Sequence, residues 1–455
     1  MEEKILALKN TYPFHMPGHK RNKNFIYQDL LDLDFTEIYG LDNLQDPNGI
    51  IKESEAICAK IFGCNKSFFC VNGASVAILA TIFAICSENE EIIAMRESHK
   101  SFYNAIELRG VKPVFLYSKN FYSAFDYAEL KNLIQTSRAK VVFITNPNYK
   151  GFCLDIKKIA KLTYLYKKVL IVDESHGSHF IFNKNFPISA IQAGADIVIN
   201  SLHKTLPCLT QSALLNLNFT DQVVTERIKK YLNMFQTTSP SYILLSVMDK
   251  TLRKISKPRF YDHYVKKLFD IRKNLSGNKI FELANKKLVN KLGYYDFDIS
   301  KLVFVMNMRQ NTDIEKILIK KFKLAIEMRG LNYFICLSSI ADTDYGFNLL
   351  VNAINYLEKK FKDQYKKNNL DLKSVKLKAD LPVKEAINQN SKYLDLKFCV
   401  NKVCADYVIL YPPGVPLIIP GEIISEDIIC LINDLSSRNL KIIGLHKKYF
   451  LKVLD

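Results

Sequence analysis

Between residues 46 and 260, short apolar runs alternate with stretches whose apolar positions recur every three or four residues. The runs Phe68–Val71, Glu91–Met95, Val114–Tyr117, Val141–Thr145, Leu170–Val172 and Ile197–Ile199 have strand length. Ser75–Cys86 and Ile156–Lys168 have helical spacing. Strands that are apolar throughout are buried on both faces, so the pattern predicts a mainly parallel sheet covered by helices. In such sheets ligands bind beyond the carboxyl ends of the strands. A lysine-rich helical stretch over 261–300 then leads into a second region. There Leu302–Met306, Phe334–Ser338 and Tyr407–Tyr411 read as strands, with helices over Ile314–Glu327 and Leu349–Phe361. The charged Lys359–Lys378 segment reads as a helix end and loop. Residues before 46 are polar and loop-rich, with Pro13, Pro17, Gly18 and Gly40. The predicted organisation is an N-terminal arm (1–45), a large α/β domain (46–265) and a smaller α+β C-terminal domain (266–455).

Composition narrows the function. The chain of 455 residues is 48% hydrophobic and 24% charged, as in ordinary soluble proteins. Acid stands at its start (Met1-Glu2-Glu3-Lys4) where a secretory signal needs a basic region, and no apolar run reaches the roughly 20 residues that span a bilayer. The ten cysteines form no CxxC pair. They read as free thiols in a reducing, cytoplasmic compartment, with no membrane association. The net charge of +18 raises nucleic acid as a partner. However, the basic residues come as dispersed doublets such as Lys157-Lys158 and Lys229-Lys230, with no basic-aromatic interleaving. We therefore expect a solvated lysine-rich surface and no nucleic-acid partner. A cationic substrate gains nothing from the field of such a protein and must be recognised by local carboxylates.

Two residues supply a specific chemistry. Asp173 ends the apolar run Leu170–Val172, and Lys204 sits in the polar turn Ser201-Leu202-His203-Lys204-Thr205 after Ile197–Ile199. A lysine amine can form a Schiff base with pyridoxal 5'-phosphate, and a carboxylate can keep its pyridine nitrogen protonated. Asn72-Gly73-Ala74-Ser75 opens a helix after the first strand, where free N–H groups and a hydroxyl suit a phosphate. The same residues also make an ordinary cap. His99, just past Glu91–Met95, can stack on a planar cofactor or transfer protons. Paired histidines at His15/His19 and His176/His179 raise metal binding, but no third ligand follows at a familiar spacing, so no metal is expected. Gln236–Tyr242 is a hydroxyl-rich turn, and Tyr411–Pro416 with Pro420-Gly421-Glu422 a rigid loop.

Taken together, these motifs resemble the fold-type I, pyridoxal phosphate-dependent ornithine/lysine/arginine decarboxylases of bacteria. The resemblance runs nearly end to end, through Phe14–Lys20, Gly40–Leu44, Gly49–Glu53, Asn72-Gly73, His99–Ser101, Thr145–Pro147, Asp173–His179, Ser201–Gln211, Thr237–Tyr242 and Tyr411–Glu422. It implies an aminotransferase-like fold and a short form without the receiver-like N-terminal domain of longer members. It also implies that Lys204 is the Schiff-base lysine, Asp173 the partner of the pyridine nitrogen and His99 the ring-stacking histidine. Ser75, Ala74, Ser201 and His203 are then cofactor or phosphate contacts, and His176 approaches the ring oxygen. Thr237, Thr238 and Ser239 would reach the phosphate of a neighbouring subunit, in a homodimer with shared active sites. Three departures stand out: Ala74 replaces a common hydroxyl residue, Arg21-Asn22 common glycines, and Glu97 a common asparagine. The implied reaction is decarboxylation of a basic amino acid, arginine ahead of lysine and ornithine, with Glu422 a candidate for the substrate's distal cation. Two rivals stay open: a transaminase or lyase, with Arg96 a possible carboxylate anchor, and a non-catalytic basic protein on the same fold.

Overall fold

The computed structural model describes residues 11–25, 30–120, 122–219, 221–257, 259–308, 313–368, 374–411, 414–438, 440–447 and 449–455. The expectations for Met1–Lys4, Pro412 and Pro413 lie outside them. The core of the large unit is a seven-stranded sheet built from β1 (Lys66–Cys70), β2 (Glu91–Met95), β3 (Lys112–Leu116), β4 (Val141–Thr145), β5 (Val169–Asp173), β6 (Ile197–Ser201) and β7 (Ala213–Leu217). Their order is β1-β7-β6-β5-β4-β2-β3, and all are parallel except β7, which runs antiparallel to both neighbours. The central strands are apolar throughout because helices cover both faces. Ile171, Val172, Ile197, Val198 and Ile199 are fully buried, each contributing on the order of 1.5–3 kcal/mol.

Helix starts follow local chemistry. Helix α1 (Ile50–Phe62) has no side-chain cap of its own on Gly49. Asp42 supplies one from a distance, its carboxylate accepting from the backbone N–H groups of Asn48, Gly49 and Ile51 at 2.8–2.9 Å. These bonds outweigh the cost of burial and hold Asp42 below its ordinary pKa. Helix α2 (Ala74–Ile85) follows β1 and is buried on most sides, and α3 (Lys100–Arg109) follows β2.

Beyond residue 260 the lysine-rich stretch is a continuous helix over Asp262–Asn274, then breaks into strand β8 (Phe281–Leu283), a short helix at Lys286–Lys291 and a two-residue strand. Strand β8 joins β9 (Lys301–Met306), β10 (Met328–Arg329) and β11 (Tyr333–Leu337) in an antiparallel sheet ordered β8-β9-β11-β10. The helix expected over Ile314–Glu327 stops at Phe322. Lys323 takes a left-handed conformation (φ 52°), and Leu324–Ile326 turns into a strand paired with Tyr12–Phe14 of the arm. The described part of the last 80 or so residues forms short antiparallel strands and the helix Glu426–Ser437 around their own cluster, which includes Val408, Ile418, Ile432 and Val453. Among the described residues no helix is long and apolar enough to cross a membrane.

Candidate active site

Three strand ends of the large sheet point at one cavity of about 320 Å³, which Lys204, Asp173, His99 and His176 all line. Lys204 lies in a one-turn helix (Leu202–Thr205) that continues β6. The turn is fastened by Leu202 N–H to Ser212 O (3.0 Å) and by Gly18 N–H of the arm to His203 O (2.7 Å). A Cβ on Gly18 would lie 2.6 Å from Leu206 O, so only glycine lets the arm rest on the lysine turn. Burial pushes the Lys204 amine down from its ordinary pKa, against the opposing charges of Asp173 and Glu327.

Asp173 ends β5 with 3% of its surface exposed, and its carboxylate accepts from Ser175 N–H at 3.0 Å. His99 caps α3, its Nδ1 accepting from Ser101 N–H at 3.2 Å. Loss of water lowers the His99 pKa, and the charge of Lys204 adds to it. Ser101 Oγ lies 2.9 Å from His99 Nδ1 and 2.6 Å from Ser75 Oγ, which ties the start of α2 to the histidine. Gly73, at φ 80°, offers α2 no side-chain cap, so the first-turn N–H groups at Ala74 and Ser75 face outward without a side-chain acceptor. An amine, a buried carboxylate and an aromatic ring around one cavity, with a helix start tied to the histidine through Ser101, suit the aldehyde, ring nitrogen, ring face and phosphate of pyridoxal phosphate.

The profile of the Orn/Lys/Arg decarboxylase major domain matches residues 6–333, and that of the family's C-terminal domain residues 359–447. The chain belongs to the Orn/Lys/Arg decarboxylase family. It is 31% identical to the arginine decarboxylase of Bacillus subtilis (strain 168), across 94% of this chain and 91% of that one. It is equally identical to the arginine decarboxylase of Halalkalibacterium halodurans, across 96% and 93%. In fold it is similar to the lysine decarboxylase of Francisella novicida (TM-score 0.78, 17% identity, 95% of this chain and 76% of that one). The aminotransferase-like architecture expected from the sequence is also seen in the ureidoglycine-glyoxylate aminotransferase of Bacillus subtilis (TM-score 0.58, 12% identity, 78% and 95%).

Other residues singled out in this decarboxylase-family chain sit around the cavity rather than in its wall. Ser201 is buried, its carbonyl accepting from Ser178 Oγ at 3.0 Å, and His203 Nδ1 lies 3.1 Å from Ser212 O. Thr237, Thr238 and Ser239 are exposed in the turn after helix Gln222–Phe235. Thr237 N–H donates to Asn72 at 3.1 Å, which sets that turn beside the start of α2. Glu422 is not where the distal-cation reading needs it. It is 2% exposed, forms a two-pronged pair with Arg96 at 2.8 and 2.9 Å, and accepts from Ile419 N–H. Its charge is already matched inside the protein. The same pair occupies Arg96, so that residue is unavailable as a carboxylate anchor.

Several groups in or beside the cavity had no signal in the sequence. Lys301 opens the buried strand β9, is 2% exposed, and its Nζ lies 2.6 Å from His176 Nδ1. Lys150 faces the rings of Tyr122 and Tyr333, and burial pushes it down to about 8. Tyr149 donates to Glu327, which also accepts from Met16 N–H at 2.8 Å. Glu97, marked in the sequence only as a departure from a common asparagine, lines the cavity with one carboxylate oxygen buried and unpartnered among the described residues, and burial raises its pKa.

Proposed function

We propose that the protein decarboxylates a basic amino acid, arginine ahead of lysine and ornithine, to the corresponding amine, using pyridoxal 5'-phosphate bound through Lys204. The observation that carries this reading is the convergence of Lys204, Asp173 and His99 on one cavity with no arginine among its described lining residues. The cofactor, when bound, supplies the electron sink that accepts the pair left by departing CO₂. Asp173 holds the proton on the ring nitrogen, because its negative charge in a buried site favours the protonated pyridine. His99 would cover one face of the ring, and His176 stands close to Lys204, at 3.3 Å. The N–H groups at Ala74 and Ser75, with the Ser201 and His203 turn, would hold the phosphate. Met16, Met95, Leu331 and Leu410 line the cavity as well, and a carboxylate facing such surfaces is poorly solvated, which favours its loss as CO₂.

For the distal cation we assign Glu97 in place of Glu422, because its orphaned oxygen is the sort of acceptor a guanidinium or ammonium completes. Exposure of Thr237–Ser239 supports a homodimer in which that turn reaches the neighbouring subunit's site. The cysteines, all free among the described residues, suit a reducing cytoplasm. The deciding experiment offers arginine, lysine and ornithine separately to the purified protein with pyridoxal phosphate and assays the amine, with Lys204→Ala as control. Agmatine, cadaverine or putrescine that disappears in the control supports the reading and names the substrate. Keto acid in place of amine would replace it with the transaminase.

A further inference from the structure

His176 stands between two lysines. Its Nε2 is 3.3 Å from Lys204 Nζ, and its Nδ1 is 2.6 Å from Lys301 Nζ. His176 is 6% exposed and Lys301 2%, so water does not substitute for either contact. The space for Lys301 is built into the backbone. Gly151, at φ 80°, lies against its stem, and a Cβ there would come within 2.5 Å of Lys301 Cγ.

The number of lone pairs limits what this line can hold. A neutral imidazole has one N–H and one lone pair, whereas an ammonium can only donate. Two ammonium groups therefore cannot both be hydrogen-bonded to one imidazole. Protonating the ring removes its lone pair and requires both amines to be neutral. In every fully bonded arrangement at least one lysine is a neutral amine. The contact at Nδ1 is the shorter one, as a charge-assisted bond from an ammonium should be. That places the charge on Lys301, the ring proton on Nε2, and the lone pair of Lys204 as its acceptor.

We infer that Lys301 is a positioning residue which, through His176, holds Lys204 as a neutral amine and shares one mobile proton with it. The inference rests on Lys204 being the reacting amine. When Lys204 takes up a proton, the transfer balances along the line. Lys301 gives one to Nδ1, Nε2 gives its own to Lys204, and the ring changes tautomer with no net charge moved out of the site. The surrounding ionisable groups are Asp173, Glu327, Asp298, His99, His203, Tyr149 and Cys153. Burial, together with the charge Lys204 carries when protonated, pushes Lys301 down to about 8, against the opposing charges of Asp298 and Glu327. Burial, reinforced by the positive charge the two lysines share, holds His176 well below its ordinary pKa, so the ring between them is neutral.

The test uses the full chain stripped of cofactor. Its rate of pyridoxal phosphate capture is followed by visible absorbance across pH, and Lys204 acetylation by trace acetic anhydride is measured by peptide mass spectrometry. Ionisations of the cofactor itself are common to all variants and cancel in the comparison. Lys301→Met, with Lys301→Gln as the second variant should the first fail to fold, is expected to raise the Lys204 midpoint by about one unit in both assays. That is roughly tenfold less neutral amine at a given pH. In a His176→Asn background the same substitution should move the midpoint much less. A purely structural role would lower the amount of cofactor captured at every pH and leave the midpoint in place. Midpoints unchanged within about 0.3 unit in both variants would overturn the inference. Should the wild-type chain capture no pyridoxal phosphate at any pH, the cofactor assignment fails. The acetylation midpoints still decide the proton arrangement.

Discussion

Two buried clusters of charge in this fold behave in opposite ways. At the Arg96–Glu422 pair each charge meets its counterpart. The guanidinium donates twice to the carboxylate and once to Leu417 O, and it lies 4.9 Å from the Phe115 ring. Burial works against the arginine, but Glu422 outweighs it and holds Arg96 above its ordinary pKa. At Lys204–His176–Lys301 the groups do not match, and burial acts on three bases together. A matched pair fixes its protons and serves as a fastener, here between β2 and the C-terminal segment. A mismatched line leaves a proton without a fixed owner, which is what an acid–base site requires.

Substitution at the two clusters should therefore separate activity from stability. The largest effect on function is expected from Lys204→Ala, which should reduce amine formation to background in the product assay. Its unfolding midpoint in urea should be no lower than that of the wild type, because a desolvated amine has been removed. The reverse is expected of Arg96→Met or Glu422→Gln. Each strands a buried partner and should cost about 3–5 kcal/mol in urea unfolding. The double variant Arg96→Met/Glu422→Leu should cost less than either single change.

A third buried group sharpens the contrast. Among the described residues Glu55 on α1 has no cationic partner in contact and accepts only Phe69 N–H, at 3.1 Å. Burial raises it to about 8. A carboxyl whose folded pKa exceeds its unfolded value stabilises the fold fully below the unfolded pKa. That contribution is lost as pH climbs from about 4.5 towards 8. Glu55→Gln keeps an acceptor for Phe69 N–H and should flatten the decline of unfolding free energy over this window, by a few kcal/mol at most. The smallest energetic change belongs to Lys301→Met. Its one-unit shift of the Lys204 midpoint corresponds to about 1.4 kcal/mol and appears in a pH profile rather than in global stability.

Much of the sheet was legible because its central strands are buried on both faces. Glu91–Met95 and Val141–Thr145 needed no adjustment, and the other runs moved by one or two residues. The antiparallel strand Ala213–Leu217 was not marked out, since an apolar run carries no sign of its direction. Helix ends set by the left-handed Lys323, and the strand that follows it, depended on pairing with Tyr12–Phe14 some 310 residues away. At the site, Lys204, Asp173, His99 and His176 could be named because they adjoin strand ends in ordered motifs. Lys301 and Lys150 could not, because one lysine among 64 basic residues looks like any other until its burial is known.

The sequence by itself determined the alternation of strands and helices, the strand ends at which chemistry is placed, and the family. Those properties follow from local periodicity and short motifs, which linear spacing preserves. Only the tertiary structure decided which charges meet. Glu422 had the residue type to hold a substrate's cation, but folding brought Arg96 to it across 326 positions. Nothing in the sequence marked out Lys301, but folding set it against His176 at 2.6 Å. Whether a buried carboxylate or amine is matched or left open depends on through-space distance at low dielectric, and the order of residues along the chain does not encode that distance locally.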